Sequence, residues 1–245
     1  MSGRARLARY ALWQGFDFVV ERAAAIVIVL GVYLYLAHLA FGSAPTTPGG
    51  AVSPAMLRAV APLMMKNMLS TTWIMVGLLA ANWISANDRT TGRFRFLFSK
   101  PLRVEAYYAQ AFTINVVLAS ACLLSSVILI GRWTSAPAAF VQDSLIVAAS
   151  GVVGISGMCF LFSAIWRFDW VATVAVWGAV NLLYVKYPGA AWLRFLPPTN
   201  VVGDQIDLLG ASLPIEVKPL LWFVAFGLLC FTAGLVTLRR RPLST

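Results

Sequence analysis

Charge is scarce in this sequence. Only 11% of its 245 residues are Asp, Glu, Lys or Arg, while 60% are hydrophobic, and a soluble domain carries about a quarter charged residues. A water-exposed fold of this length cannot hide so much apolar surface. Histidine occurs once, at His38, with no H-E-x-x-H context and no second histidine to complete a metal site or a proton relay. The three cysteines, Cys122, Cys159 and Cys230, lie inside apolar runs at spacings that fit neither a metal site nor a disulfide framework. They read as small hydrophobes in helix packing. The nine acidic residues, Asp17, Glu21, Asp88, Glu105, Asp143, Asp169, Asp204, Asp207 and Glu216, fall at the ends of apolar runs or between them. Proton-driven carriers and ion pumps need ionisable groups at depth, so that class is disfavoured. No G-x-x-x-x-G-K-[ST] phosphate loop is present, so the chain does not hydrolyse ATP by that route. Ser163 and the other serines lack a histidine or lysine in the same layer. No enzyme activity is expected of this chain, and no catalytic, cofactor or metal site.

Long apolar runs are what the sequence has in abundance. A bilayer core about 30 Å thick needs roughly 20 apolar residues at 1.5 Å each. Six runs qualify as transmembrane helices, at about residues 23–41, 67–86, 106–130, 144–166, 170–185 and 219–238. The expected fold is therefore an all-α integral membrane protein in one transmembrane domain over 1–245. Residues 5–20 place Arg6, Arg9, Trp13 and Asp17 on one stripe and Leu12 and Phe16 on another. That pattern suits an amphipathic helix lying in the interface, or an N-terminal extension of the first span. The first span follows a stretch rich in arginine and aromatics and is long enough to be retained, not cleaved as a signal. Ser53–Pro54 is a helix-start signal. Ser150, Gly151, Gly154 and Gly157 in the fourth run let helix backbones approach closely. Residues 186–218, with several prolines, form an outer segment that lies in the interface or re-enters the membrane.

The formal net charge is +10, but the cations cluster beside apolar runs, where they set orientation and touch anionic headgroups. Membrane lipids are the expected partners of these charges, and nucleic acid is not. Arg4, Arg6, Arg9 and Arg22 share one face with Arg89, Arg93, Arg95, Lys100, Arg103, Arg167 and Arg239 to Arg241; fewer cations fall on the other face. The first face is expected to be cytoplasmic. Both termini then lie inside a plasma-membrane protein of six passes.

The loop at 87–105 carries the most specific pattern. Thr90 or Thr91 can cap a short helix that Pro101 stops. Phe94, Leu97 and Phe98 share one face of it at i, i+3 and i+4 spacing, with Arg93, Arg95 and Lys100 elsewhere. The aromatics can dip into the interface, the cations can serve orientation alone, or the ridge can dock a cytoplasmic protein. Buried or half-buried amides and hydroxyls at Asn67, Thr71, Asn82, Gln110, Asn115 and Asn181 are candidates for interhelical bonds or a pathway.

The stretch from Ile84 to Tyr107 resembles the loop after the second span in permeases of the type-2 ATP-binding-cassette (ABC-2) transporter family. There a Ser, an acidic residue, Arg, Glu, any residue, Gly and Thr precede an apolar run ending in Ser, Arg or Lys, and Pro. The matches are Ser85, Asp88, Arg89, Gly92, Leu97, Ser99, Lys100, Pro101, Arg103 and Tyr107. The family's second acidic position is Thr90 here, and its Thr after glycine is Arg93. The resemblance implies a permease subunit, an exporter, that pairs with a second permease half as a homo- or heterodimer. It also implies cytoplasmic ABC ATPase subunits that hold the ATP and Mg and grip a coupling helix formed by Asp88, Arg89, Gly92, Arg93, Phe94, Arg95, Leu97, Phe98, Ser99, Lys100 and Pro101. The alternative is a non-transporting membrane scaffold that anchors partners of a larger assembly.

Overall fold

The computed structural model describes residues 3–42, 54–82, 84–85, 103–166 and 168–240. Among these, every regular element is a helix. Helix α1 (Gly3–Phe18) passes through a π-helical turn at Val19–Ala23 into α2 (Ala24–Gly42). Then come α3 (Pro54–Ala81), α4 (Val104–Trp133), α5 (Ala138–Ile165), α6 (Asp169–Lys186), a 3-10 turn at Ala191–Phe195, α7 (Val201–Gly210) and α8 (Val217–Arg240).

The expected gap between an interfacial helix at 5–20 and a first span from 23 is not a break in the chain's helicity. Residues 18 to 24 contain no Pro, Gly or Asn to stop a helix, and Phe18 and Ala24 keep helical dihedrals on either side of the π turn. Widening one turn to i→i+5 bonds accommodates the junction instead.

Among the described residues five helical stretches are long and apolar enough to cross a membrane: Tyr10–Leu36, Met56–Ala81, Val104–Trp133, Ala138–Ile165 and Val217–Arg240. The sequence reading expects six. The difference is α6, whose 18 residues include Asp169, Asn181 and Lys186 and so dilute its apolar character. Several apolar helices of this kind fit a multi-pass membrane protein.

Side-chain contacts fix the direction of each helix. Trp73 lies on Gly151, Gly77 against Ile155, and Ser85 against Ser163, so α3 and α5 run parallel. Phe223 covers Gly154, Gly227 meets Gly157, and Gly234 meets Phe160, so α8 runs parallel to both. Helix α4 is antiparallel, since Phe112 meets Phe160 with ring centroids 5.3 Å apart while Gly131 meets Val141. Helix α2 is antiparallel to α3: Arg22 reaches the Asn82 carbonyl at 3.0 Å and Tyr33 the Met64 carbonyl at 3.2 Å. Helix α6 leaves the end of α5 and returns along it until Trp177 meets Trp73 at 6.5 Å.

Helix α5 is the hub, packed against α3, α4, α6, α7 and α8. Lipid tails supply little hydrophobic drive between helices, so close approach of backbones must hold the bundle. Gly154 and Gly157 serve α8 and Gly151 serves the Trp73 ring. Ser156 adds a hydroxyl bond to the Gly77 carbonyl at 2.9 Å.

The outer segment 186–218, expected to lie in the interface or to re-enter the membrane, contains the short helix α7. Its ten-residue α7 is amphipathic, with Val202, Ile206 and Leu209 buried against α3, α5 and α8. Ten residues rise about 15 Å, too short to cross a bilayer. Gln205 holds the return to α8 by accepting the Glu216 N–H at 2.6 Å.

Candidate functional site

The coupling residues expected from sequence, Asp88, Arg89, Gly92, Arg93, Phe94, Arg95, Leu97, Phe98, Ser99, Lys100 and Pro101, lie outside the described residues. Both roots of that loop are described, and both are tied into the bundle. At the first root, Ser85 is fully buried. Its hydroxyl donates to the Ser163 carbonyl at 2.7 Å and its N–H donates to the Ser163 hydroxyl oxygen at 3.2 Å. One turn earlier, Arg22 donates to the Asn82 carbonyl, so the π turn leading into α2 grips the end of α3 as well.

The second root begins α4. Tyr107 is buried, edge-on to Tyr10 at 5.9 Å and to Tyr108 at 5.2 Å, and its carbonyl accepts from Gln14 Nε2 at 3.4 Å. Glu105, in the favourable first turn of α4, lies 3.4 Å from Arg239 Nε near the end of α8. Both side chains are substantially exposed, so this pair adds little stability. Its interest is positional, because it joins the loop to the last helix. The two roots thus contact α1, the π turn leading into α2, α5 and α8.

The Ser85–Ser163 pair gives a direct test of this wiring. Ser163→Ala leaves the buried Ser85 N–H without its acceptor, which costs about 1–3 kcal/mol. The expected result is a clear fall in thermal midpoint for Ser163→Ala, and a further fall when Ser85→Ala is added, because the Ser85 hydroxyl donates to a backbone carbonyl that the first substitution keeps. A midpoint left unchanged by Ser163→Ala would show that the Ser85 N–H finds another acceptor.

Asp169 is another feature of this end. Like the other acidic residues it falls at the end of an apolar run, where it begins α6, but its side chain is fully buried. Its Oδ1 accepts the Trp170 N–H at 2.8 Å, and Thr173 donates its hydroxyl to the Asp169 carbonyl at 2.7 Å. A carboxylate at a helix N-terminus is electrostatically favourable. Position in the sequence signals the end of a helix; it carries no signal of burial.

The six amides and hydroxyls expected to lie between helices do not converge. Asn67 and Thr71 are exposed on the outward face of α3, alongside Ser70, whose hydroxyl returns to the Asn67 carbonyl at 2.8 Å. Asn115 is buried inside on α4. Asn82 and Gln110 are half-buried near the loop roots, and the Asn82 Oδ1 has no hydrogen-bond partner among the described residues. Asn181 Nδ2 donates to the Trp177 carbonyl at 2.8 Å near the opposite end. His38 is exposed with its ring 5.8 Å from Trp133, in keeping with an interfacial residue. Among the described residues no group of His, Cys, Asp and Glu is placed to hold a metal ion. On α7, outside the spans, burial pushes the Asp204 carboxyl above its ordinary value, while the Asn200 amide bonded to it pulls the other way and Asp207 adds to the rise.

No family model and no curated protein matches this chain. Its class therefore rests on its own helices: a helical protein of multi-pass membrane character, whose loop between α3 and α4 is anchored at both roots.

Proposed function

We propose that this chain is the membrane permease subunit of an ATP-driven exporter of the ABC-2 type. In this reading α6 makes a sixth crossing, both termini and the loop at 87–105 are cytoplasmic, and the chain sits in the plasma membrane. A second permease half and separate ATPase subunits complete the transporter, with ATP and Mg held by the ATPase. The resemblance of 84–107 to the family motif supplies the assignment. The observation that carries it further is the anchoring of both loop roots, Ser85 on Ser163 and Tyr107 with Glu105 on α1 and α8.

A loop that transmits a stroke must be stiff where it joins the spans, and these contacts provide that. Phe94, Leu97 and Phe98 form the ridge for the ATPase, and Ser85 and Tyr107 are positioning residues that pass its motion to the helices. The exposed Asn67 and Thr71 fit the same reading: amides and hydroxyls facing outward at membrane depth are served by a second half that encloses a polar path.

The test is affinity purification of the full chain from its native membranes in mild detergent, with identification of co-purifying proteins. A phosphate-loop ATPase is expected with the wild type, and Phe94→Asp/Phe98→Asp is expected to reduce its recovery at least about tenfold, as loss of a buried aromatic anchor implies, without reducing membrane insertion. Equal recovery with the double variant, or none with the wild type, removes the coupling assignment. Recovery of the ATPase with no change in its hydrolysis rate on binding favours the scaffold alternative.

A further inference from the structure

The rod formed by α1, the π turn and α2 presents one inner stripe to the bundle. Gln14, Phe18, Ile26 and Leu30 are buried and Arg22 is half-buried, each four residues from the next. In an uninterrupted α-helix every such step overshoots a full turn by about 40°, so Gln14 and Leu30 would stand roughly 160° apart. One end of the stripe would then leave the bundle. The extra residue of the π turn at Val19–Ala23 takes back roughly 100°, and the remaining roughly 60° fits a single inner face.

Each half of the rod has its own partners. Gln14 Nε2 donates to the Tyr107 carbonyl at 3.4 Å and Tyr10 lies edge-on to Tyr107 at 5.9 Å, so α1 holds the second loop root. Arg22 donates to the Asn82 carbonyl at 3.0 Å and Tyr33 to the Met64 carbonyl at 3.2 Å, so the other half holds α3. The surplus residue lies between these anchors, where Val19 and Val20 are exposed.

That surplus also defines a second register. If the π turn closes to an ordinary α turn with α2 in place, α1 rotates by roughly 100° and each of its residues takes the place of the one before it. Gly15 then replaces Gln14, Val19 replaces Phe18, and Leu12 replaces Ala11 at the bundle. Leu12, now 80% exposed, turns inward as Phe18 turns out. The new face carries no charge, so no buried ion bars either register.

We propose that Val19–Ala23 is a two-register joint. The present register clamps Tyr107; the alternate one frees its carbonyl and its ring, and with them the second loop root, without lifting α2 from α3. Bistable elements of this kind, and not continuous bending, carry conformational change through packed cores. The inference rests on the helices alone and is independent of ATPase coupling.

Fluorine NMR of the full chain in lipid nanodiscs tests it, with trifluoromethylphenylalanine in place of Leu12 and a paramagnetic lipid to mark the outward signal. The labelled wild type is expected to show a lipid-exposed resonance and a shielded one at about 1–10% of the total, the usual weight of a minor state. Gln14→Ala removes a hydrogen bond of the present register and is expected to raise the shielded resonance roughly fivefold. Deletion of Val20 removes the surplus residue with Gln14 and Phe18 still inward, so only the lipid-exposed resonance is expected. An unchanged spectrum in Gln14→Ala overturns the proposal, as does a shielded resonance that survives deletion of Val20. If the deletion prevents folding, the Gln14→Ala spectrum decides alone.

Discussion

Gly157→Leu is expected to destabilise the bundle severely. A Cβ at this position falls on the Gly227 carbonyl, and a Cβ on Gly227 would in turn meet the Gly154 Cα at 2.6 Å and its carbonyl oxygen at 2.8 Å. Neither backbone can turn aside as a flexible side chain could, so α5 and α8 must separate along their length. Overpacking a tight core costs about 1–3 kcal/mol and occasionally more, and a clash against backbone belongs at the upper end. At about 3 kcal/mol the folded-to-unfolded ratio falls more than about a hundredfold. Size-exclusion chromatography after graded heating reads this as loss of the monodisperse peak. Gly178→Ala is the control: nothing lies within 4 Å of a Cβ there, and Ala is the better helix former by about 1 kcal/mol. If Gly157→Leu survives heating as well as Gly178→Ala does, the backbone contact between α5 and α8 is absent from the protein in solution.

Trp73→Ala is expected to be at least as damaging, for the opposite reason. Trp73 is 1% exposed, its ring lies over Gly151, and it meets Phe223 at 6.1 Å and Trp177 at 6.5 Å, both edge to face. Truncation leaves a void bounded by three helices, and large aromatic deletions of this kind cost about 3–5 kcal/mol. Part of that is the loss of two aromatic pairs, each contributing about 0.5–1.5 kcal/mol beyond burial. Trp73→Phe retains a ring over Gly151 and is expected to lose less than half as much. A thermal midpoint for Trp73→Ala no lower than that for Trp73→Phe would show that the void is refilled by relaxation.

The glycines of α5 show what a sequence reveals about such a bundle. Gly151, Gly154 and Gly157 recur at helical spacing, and that alone announces close neighbours. Which neighbours they meet, Trp73 for one and α8 for two, depends on tertiary arrangement and leaves no local trace. The start of α3 at Pro54 follows from the Ser–Pro signal. Helix α7 had a faint signature in Val202, Ile206 and Leu209 after Asn200, obscured by the prolines upstream. The π turn had none, because its residues are ordinary helix formers and only the junction of two packed helices decides their hydrogen bonding. At the candidate site, the loop motif was legible while its anchors were not. Ser85 and Ser163 are separated by 78 positions, and an isolated serine says nothing of its partner.

The parallel seam between α5 and α8 also bears on how the protein is built. The hub helix leaves the ribosome well before residues 217–240 exist, so its two glycine notches first face acyl chains, whose thickness keeps them from filling the grooves. Their occupant is α8, which is synthesised later. A nascent chain halted upstream of α8 therefore carries an open furrow along its hub helix.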